Sequence, residues 1–497
     1  MIPLCILALL THVVASPTPI PGATPTSPLA AHAPPSRPTV FSSNPRVARR
    51  NVLTDLDGDI NSILSGLGSA IPSYVASGVP NFFQDFPTGT AVASSLGLSD
   101  DDLAAIPTQV LNLPSYANWT EQGWSLLLHG NVFKQPNISQ SKLDDLANGF
   151  LIGTNISSLP ADQQTQARNL TAEIYVVQQP NVDVTMIVEP LTSAGKANGT
   201  SQTVAVGPTS PEGDFDSPVI VFNLDGVLQP GNATSTTQRL DLHVNGTDTG
   251  NATAYLVPTE GLTIISDIDD ILRVTKIYEP AQGLLNSFAS SIHPVDEHAR
   301  NLRQLVQVSA RYHFHYLTTT PEQVTRNYMQ FIYATYPLGS FDTRPLNFSD
   351  VSATLSIRKF LLDRIFQTYP QRKFVLVADT SNSDVMKDYP QMVTDYPNQV
   401  QCIFLRNTSA TDSGDKFPYD TSGFKGLNQS MYMFFTVPDD LKGLDITKQC
   451  YSSSVRQNVT FGEQGLPFEN DASFLVPRTY TVLIVALLGV IGTFVGV

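Results

Sequence analysis

Short runs of alternating apolar and polar residues dominate the chain between residues 115 and 260, as in GWSLLLHGNVF, SQTVAVGP and RLDLHVNG. Polar and glycine-rich joints separate these runs. Alternation with a period of two is typical of half-buried β-strands, and several short strands divided by turns indicate an antiparallel sandwich. We therefore predict a β-sandwich-like accessory domain over residues 115–260. It follows a segment of mixed helical and irregular character over residues 51–114.

From residue 261 the pattern changes to apolar runs that alternate with stretches of helical periodicity. Strands that alternate with helices of this length indicate an α/β domain with a parallel sheet and right-handed crossovers, which we place at residues 261–460. Ligands of such sheets bind beyond the carboxyl ends of the strands. The predicted strands are Leu262–Ile265, His313–Leu317, Lys373–Ala378 and Val400–Leu405, and the predicted helices are Glu297–Ser309, Gln323–Tyr336 and Leu355–Tyr369.

Both ends of the chain carry features of a secreted, membrane-attached protein. Residues 1–15 form an apolar run with a small-residue cleavage site, which predicts a signal peptide. Residues 16–50 are rich in proline and end in a dibasic pair, which fits a propeptide or a plain disordered linker. Residues 461–497 are a linker that ends in the hydrophobic tail Thr481–Val497. One interpretation of this tail is a GPI-attachment signal with Asn470 as the attachment site, and the other is a transmembrane segment.

The composition of the chain limits which binding partners and which cellular compartment are expected. The chain carries 29 Lys and Arg against 44 Asp and Glu, a net charge of −15, which disfavours a nucleic-acid partner. After removal of the signal peptide only Cys402 and Cys450 remain, and one disulfide or two buried free thiols are both open. Twelve glycosylation sequons predict a glycoprotein of the secretory pathway, at the cell surface or outside the cell. Their asparagines are Asn118, Asn137, Asn155, Asn169, Asn198, Asn232, Asn245, Asn251, Asn347, Asn407, Asn428 and Asn458.

The candidate chemistry lies where the first strand of the α/β domain ends. Leu262–Ile265 runs almost directly into Asp267 and Asp269. Two carboxylates two residues apart at a strand end point in the same direction, so one can serve as nucleophile or metal ligand while the other handles protons. Their mutual repulsion requires a nearby cation, and magnesium is the hard cation that suits oxygen ligands. The alternative is a solvated turn rich in aspartate.

The next strand ends favour a functional site over a simple turn. One of the following predicted strands runs into Thr318, and another runs into Asp379, with Asp384 five residues later. Because parallel strands end at the same edge of a sheet, we expect these side chains near Asp267 and Asp269. Phosphoryl transfer to a carboxylate needs this set: a nucleophile, an acid/base, a hydrogen-bond donor to the phosphoryl oxygens, and acids that hold a cation.

Three segments carry a resemblance to a known family: SDIDDILRVTKIYEPAQGLLNSF, HFHYLTTTPEQ and YPQRKFVLVADTSNSDVMKDYP. They resemble the motifs of haloacid dehalogenase phosphatases and, more narrowly, those of the actin-patch-protein type of phosphatidate phosphatase. The resemblance covers residues 262–406 and extends weakly upstream. It implies a haloacid-dehalogenase-like parallel sheet with flanking helices. The short intervals between the motifs leave space for a minimal cap only, so we expect an open site that suits a lipid headgroup.

The resemblance also implies a role for each candidate residue. Asp267 is the nucleophile that forms an aspartyl-phosphate, Asp269 is the general acid and base, and Thr318 donates a hydrogen bond to the phosphoryl oxygens. Asp379 and Asp384, together with Asp267 and Asp269, hold the magnesium ion.

The third motif of the family supplies a Lys, for which Arg358 is the preferred candidate and the adjacent Lys359 is the alternative. The chain departs from the family pattern at three places. Ile271 replaces a Thr or Val, the Thr318–Thr320 loop replaces Ser-Asn-Ser, and Ala378 replaces a Gly. None of these changes removes a carboxylate, so we expect an active enzyme.

The predicted function is therefore the magnesium-dependent hydrolysis of phosphatidate to diacylglycerol and phosphate at a membrane surface. Two alternatives remain. The first is a phosphatase that acts on another extracellular phosphomonoester. The second is a cell-surface protein in which the catalytic fold survives as a weakly active binding scaffold.

Overall fold

The computed structural model describes residues 89–464, except 152, 223–225, 277–279, 293, 296–311, 345–356, 409–418 and 458–459. All of these residues belong to one of the two compact units of the chain, Val52–Val497. The predicted signal peptide, the propeptide, the tail with Asn470 and the predicted helix Glu297–Ser309 lie outside the described residues, as do Asn347 and Asn458. Within the described part of the chain, no helix has the length and apolar character needed to cross a membrane.

The first half of the described chain is rich in strands, as the alternating pattern predicts. Its helices are α1 Gly89–Ser95, α2 Asp100–Ala105, α3 Gln140–Asn148 and α4 Ala161–Ile174, with a 3₁₀ turn at Ile156–Ser158. Its strands are β1 Thr108–Asn112, β2 Tyr116–Thr120, β3 Gly123–Lys134, β4 Val177–Gln178, β5 Val184–Leu191, β6 Gln202–Val206, β7 Asp214–Val221, β8 Gln238–Val244 and β9 Ala252–Leu256.

Among the described residues, these nine strands form one mixed sheet instead of the two separate sheets of a sandwich. The order is β1-β3-β2-β9-β8-β5-β6, and β4 and β7 also pair with β3. The described pairs are antiparallel except for β2 with β9. The strands join into one sheet because β3 is 12 residues long and pairs with four other strands. Buried apolar side chains of these strands pack together in one core, which includes Trp124, Met186 and Leu240.

The second half alternates strands with helices, again as the pattern predicts. Its strands are β10 Leu262–Ser266, β11 Tyr312–Pro321, β12 Ser340–Arg344, β13 Lys373–Asp379, β14 Val400–Arg406, β15 Tyr419–Asp420, β16 Tyr432–Phe435 and β17 Glu463–Gln464. Its helices are α5 Pro280–Phe288, α6 Glu322–Thr335, α7 Ile357–Thr368 and α8 Ser383–Asp395, with 3₁₀ turns at Ser422–Phe424, Gln429–Met431 and Pro438–Leu441.

The predicted parallel sheet is confirmed. Six of the described strands form it in the order β12-β11-β10-β13-β14-β16, and each neighbouring pair is parallel. The chain first moves from β10 to one side, through β11 and β12, and then returns to the other side at β13. The order therefore reverses at β10, and ligands of open α/β sheets bind at the carboxyl ends of the strands at such a reversal.

A partly buried polar cluster joins the mixed sheet to the parallel sheet. Asp342 of β12 accepts a hydrogen bond from the Tyr116 hydroxyl of β2 at 3.1 Å, and it pairs with Arg364 of α7 at 2.5 Å. Arg364 also donates to Asp216 of β7 at 2.8 Å. Burial by itself would raise the pKa of Asp342, but Arg364 and the hydrogen bond from His315 lower it to about 2. The carboxylate is thus stabilised in its charged form between the two sheets.

We expect Asp342→Asn to lower the free energy of unfolding by about 3 kcal/mol, because it leaves the partly buried Arg364 guanidinium without its main anion. Urea unfolding of the purified protein measures this. The matched control is Asp363→Asn, because Asp363 pairs with Lys359 in a more exposed setting, where a pair contributes about 0.2–1 kcal/mol. Equal losses in the two variants would contradict the prediction.

The loss of stability in Asp342→Asn should depend on pH. The pKa of Asp342 is lower in the folded state than in the unfolded chain, so its contribution is complete above about pH 4 and is lost as the pH falls towards about 2. The difference in stability between the wild type and Asp342→Asn should therefore shrink over this interval. Unfolding curves recorded at pH 7, 4 and 2.5 test the trend, and a difference that stays constant would contradict it.

Candidate active site

Asp267 lies at the centre of the carboxyl edge of the parallel sheet. Its backbone amide donates to Val377 of β13 at 2.8 Å, which continues the pairing of β10 with β13 and places Asp267 beside the end of that strand. Asp267 is 3% exposed. Burial raises the pKa of Asp267, Arg358 opposes this rise, and the charge of Asp269 adds to it.

Arg358 is the basic residue that the structure brings to Asp267. It stands in the first turn of α7, is 1% exposed, and places Nη2 3.1 Å from Asp267 Oδ2. Lys359 instead pairs with Asp363 at 2.6 Å and Asp395 at 2.8 Å. Burial lowers the pKa of Arg358, but Asp267 and other acidic neighbours raise it by more. The Nε and Nη1 groups of Arg358 are buried and have no hydrogen-bond partner among the described residues.

Thr318 lies in the last part of β11, which runs further than the sequence pattern predicts. The strand continues to Pro321, and its register with β12 shifts between Leu317 and Pro321. The Thr318 hydroxyl oxygen accepts a hydrogen bond from the Thr320 amide at 3.1 Å. This bond uses a lone pair, so the hydroxyl can still donate its proton to an acceptor.

Asp379 ends β13 and is fully buried. Its Oδ2 atom accepts hydrogen bonds from the Ser381 amide and the Thr408 hydroxyl, both at 2.9 Å. In the part of the chain that the structure describes, its Oδ1 atom has no partner. Burial, followed by the negative charge of Asp270 and, less strongly, of Asp267, raises the pKa of Asp379 to about 7.

Asp384 lies in the first turn of α8, and its Oδ2 atom is also buried without a hydrogen-bond partner among the described residues. Burial raises the pKa of Asp384 to about 7, although Arg358 opposes this. Asp388 lies one turn later on the same helix, and burial raises its pKa to about 6. Several acids therefore surround one buried guanidinium.

Asp269 lies beside this group and has basic partners of its own. Its Oδ1 atom accepts from Arg273 Nε at 2.8 Å and from the Thr275 hydroxyl at 2.8 Å. Arg273 in turn stacks on Tyr328, with 3.6 Å from its guanidinium carbon to the ring centre. Asp270 has a positive φ of 55° and accepts from the amides of Thr275 and residue 276, so it shapes the loop after β10.

Sequence reasoning did not find Arg273 or Thr408 as neighbours of the candidate acids. For Arg273 a signal was present, because it follows Asp269 by four residues on the same loop. For Thr408 there was none, because it contacts Asp379 across two neighbouring strands and 29 residues of sequence.

The cysteines and sequons have the following places in the structure. Cys402 of β14 forms a disulfide with Cys450, with 5.3 Å between the Cα atoms.

Of the ten sequon asparagines that the structure describes, Asn118 and Asn407 are half-buried and the others are exposed. The exposed ones are Asn137, Asn155, Asn169, Asn198, Asn232, Asn245, Asn251 and Asn428.

Comparison with known families assigns the parallel-sheet region. Residues 262–407 match the family model described as phosphatidate phosphatase APP1, catalytic domain. This match confirms the resemblance seen in the sequence, and the segment is similar to the catalytic domain of phosphatidate phosphatases. The matched segment contains all the catalytic and metal-binding candidates and is a minor part of the 497-residue chain.

Other comparisons add little. A comparison with curated proteins finds no match. Among solved structures, a Bacteroides fragilis protein described as a beta-galactosidase is 10% identical with a TM-score of 0.21, and the alignment covers 59% of this chain and 42% of that chain. Ferredoxin-NADP+ reductase from Plasmodium falciparum is 10% identical with a TM-score of 0.13, covering 59% of this chain and 93% of that chain. The chain thus spans less than half the length of the first structure, and neither likeness supports an argument.

We expect Arg358→Gln to reduce phosphatase activity by about 10²-fold or more, because it removes a buried cation and donors beside Asp267. Phosphate release from a short-chain phosphatidate measures the effect. The control is Lys359→Gln, which should remain within about twofold of the wild type because Lys359 pairs with Asp363 and Asp395. The prediction fails if the Lys359 variant is the more damaged of the two.

Proposed function

We propose that the protein is a magnesium-dependent phosphatidate phosphatase that hydrolyses phosphatidate to diacylglycerol and phosphate. The observation that supports this best is the pairing of Asp267 with Arg358 at the carboxyl end of β10. It combines a buried carboxylate with a guanidinium whose Nε and Nη1 groups have no partner among the described residues. A phosphoryl group beside Asp267 would meet both a nucleophile and these donors.

In this proposal the Asp267 carboxylate attacks the phosphorus atom of phosphatidate. A bond forms between a carboxylate oxygen and phosphorus, and the bond from phosphorus to the glycerol oxygen breaks. Asp269 gives its proton to the leaving oxygen, which releases diacylglycerol. Asp269 then takes a proton from water, the water oxygen attacks phosphorus, and Asp267 is regenerated with release of phosphate. Arg358 and Thr318 donate hydrogen bonds to the phosphoryl oxygens throughout.

The carboxylates suit a magnesium ion in their chemistry. Asp379 and Asp384 each have a buried oxygen without a partner in the described residues, and each has a pKa raised to about 7. A divalent cation held by Asp267, Asp379 and Asp384 would keep these groups ionised, and when bound it neutralises charge on the transferred phosphoryl group. We assign Asp269, which Arg273 and Thr275 already bind, to proton transfer.

The described residues contain no group of three or more His, Cys, Asp or Glu side chains that would enclose a metal ion by itself. The support for a cation is therefore the pair of buried carboxylate oxygens, Asp379 Oδ1 and Asp384 Oδ2, that have no partner among the described residues.

We further propose that the enzyme works on the outer side of a membrane. The predicted signal peptide, the hydrophobic tail and the exposed positions of most described sequon asparagines support a secretory route. The lipid substrate would then be a phosphatidate headgroup at that surface. Another extracellular phosphomonoester would use the same Asp267, Arg358 and Thr318.

Phosphate release from phosphatidate in mixed micelles, with and without magnesium, tests the proposal. We expect release that depends on magnesium and that Asp267→Asn lowers by about 10³-fold or more, because the variant lacks the nucleophile. Asp363→Asn, which changes a carboxylate in a more exposed pair, serves as the control and should retain activity. Release that is independent of magnesium or insensitive to Asp267→Asn would contradict the mechanism.

The substrate is tested separately. A panel of soluble phosphomonoesters is compared with phosphatidate under the same conditions. Faster turnover of a soluble ester, still abolished by Asp267→Asn, would contradict the lipid assignment and leave the mechanism in place.

A further inference from the structure

Thr408 contacts the proposed magnesium site from outside the matched catalytic segment. It follows the end of β14 by two residues and is 2% exposed. Its hydroxyl donates to Asp379 Oδ2 at 2.9 Å. The family match ends at residue 407, so it does not include Thr408.

Two donors converge on one oxygen of Asp379. The Ser381 amide and the Thr408 hydroxyl each lie 2.9 Å from Oδ2. Oδ1 is buried and receives no hydrogen bond from the described residues. The two bonds therefore fix the rotation of the carboxylate and leave one particular oxygen for a ligand.

The two donors to Asp379 belong to different segments of the chain. Ser381 is two residues from Asp379 in the same turn, so its amide moves together with that turn. Thr408 belongs to a segment that is held independently, because the neighbouring Asn407 amide donates to Phe435 of β16 at 2.7 Å. The Thr408 amide also donates to the Thr380 hydroxyl at 3.3 Å. Thr408 thus ties the Asp379 carboxylate to the segment that follows β14.

We propose that Thr408 is a positioning residue that orients Asp379 so that Oδ1 binds the divalent cation. This inference rests on the proposed function, because it assumes a metal ion at Asp379. Hydrogen bonds from outside the ligand set orient ligating carboxylates in this way, and their removal typically weakens metal binding by 10-fold to 100-fold. Thr408 is not expected to touch the substrate.

The test compares Thr408→Val, which keeps the shape and loses the donor, with Thr408→Ser, which keeps the donor. Both variants retain the Asn407 sequon, because position 408 is its middle residue and Ser409 supplies the hydroxyl. The matched control is Thr421→Val. Thr421 is 3% exposed, and its hydroxyl donates to the carbonyl of Thr460.

The main readout is the binding of magnesium to the substrate-free protein, measured by calorimetry, with manganese binding measured by electron paramagnetic resonance. We expect about 10-fold to 100-fold weaker binding in Thr408→Val and binding within about threefold of the wild type in Thr408→Ser and Thr421→Val. The magnesium concentration for half-maximal activity should rise in Thr408→Val, while kcat at saturating magnesium should change little. Chemical unfolding confirms that each variant is folded, and Thr408→Ala replaces Thr408→Val if the latter is not.

Two outcomes would overturn the role of Thr408 without affecting the proposed function. Metal binding by Thr408→Val equal to that of a binding-competent wild type shows that the hydroxyl does not position the ligand. Equal weakening in Thr408→Ser and Thr408→Val shows that packing matters and the hydrogen bond does not. A wild type that binds no divalent cation overturns both this inference and the magnesium dependence in the proposed function.

Discussion

The buried ion pair between Asp267 and Arg358 is the interaction on which the rest of the site depends. Removal of two charges from water costs several kcal/mol per ion, and their attraction offsets this cost only in close geometry. Two separate elements provide that geometry, since β10 carries Asp267 to the sheet edge and the first turn of α7 presents Arg358. Within the described residues the guanidinium is only partly satisfied, which is the state expected of a site that receives an anion.

The carboxylates around this ion pair are buried. Asp379, Asp384 and Asp388 all have raised pKa values, and each of them is raised mainly by burial. Among the basic groups, Arg358 lowers the pKa of Asp384 and Asp388 most, followed by Lys387. Burial makes the charged form of these carboxylates costly, and a bound cation would offset that cost. The raised pKa values therefore support the proposed magnesium site.

The mixed sheet supports the strand next to the site. Asp342 of β12 binds Tyr116 and Arg364, and β12 pairs with β11, the strand that carries Thr318. The sequence pattern did not predict β12, because its central position, Asp342, is charged instead of apolar. In the folded protein this charge is stabilised by residues of the mixed sheet and of α7. The mixed sheet is therefore linked to the carboxyl edge of the parallel sheet through a contact that no local pattern encodes.

The sequence by itself determined the features whose signals are local. Apolar runs and helical periodicity located β10, β11, β13 and β14, and acids at the strand ends marked the carboxyl edge as the site. The tertiary structure alone decided that Arg358 and not Lys359 faces Asp267, since the packing of α7 sets which side of the helix meets the sheet. It also decided that Thr408 meets Asp379 and that nine described strands share one mixed sheet. These contacts join residues far apart in the chain, and periodicity carries information only about near neighbours.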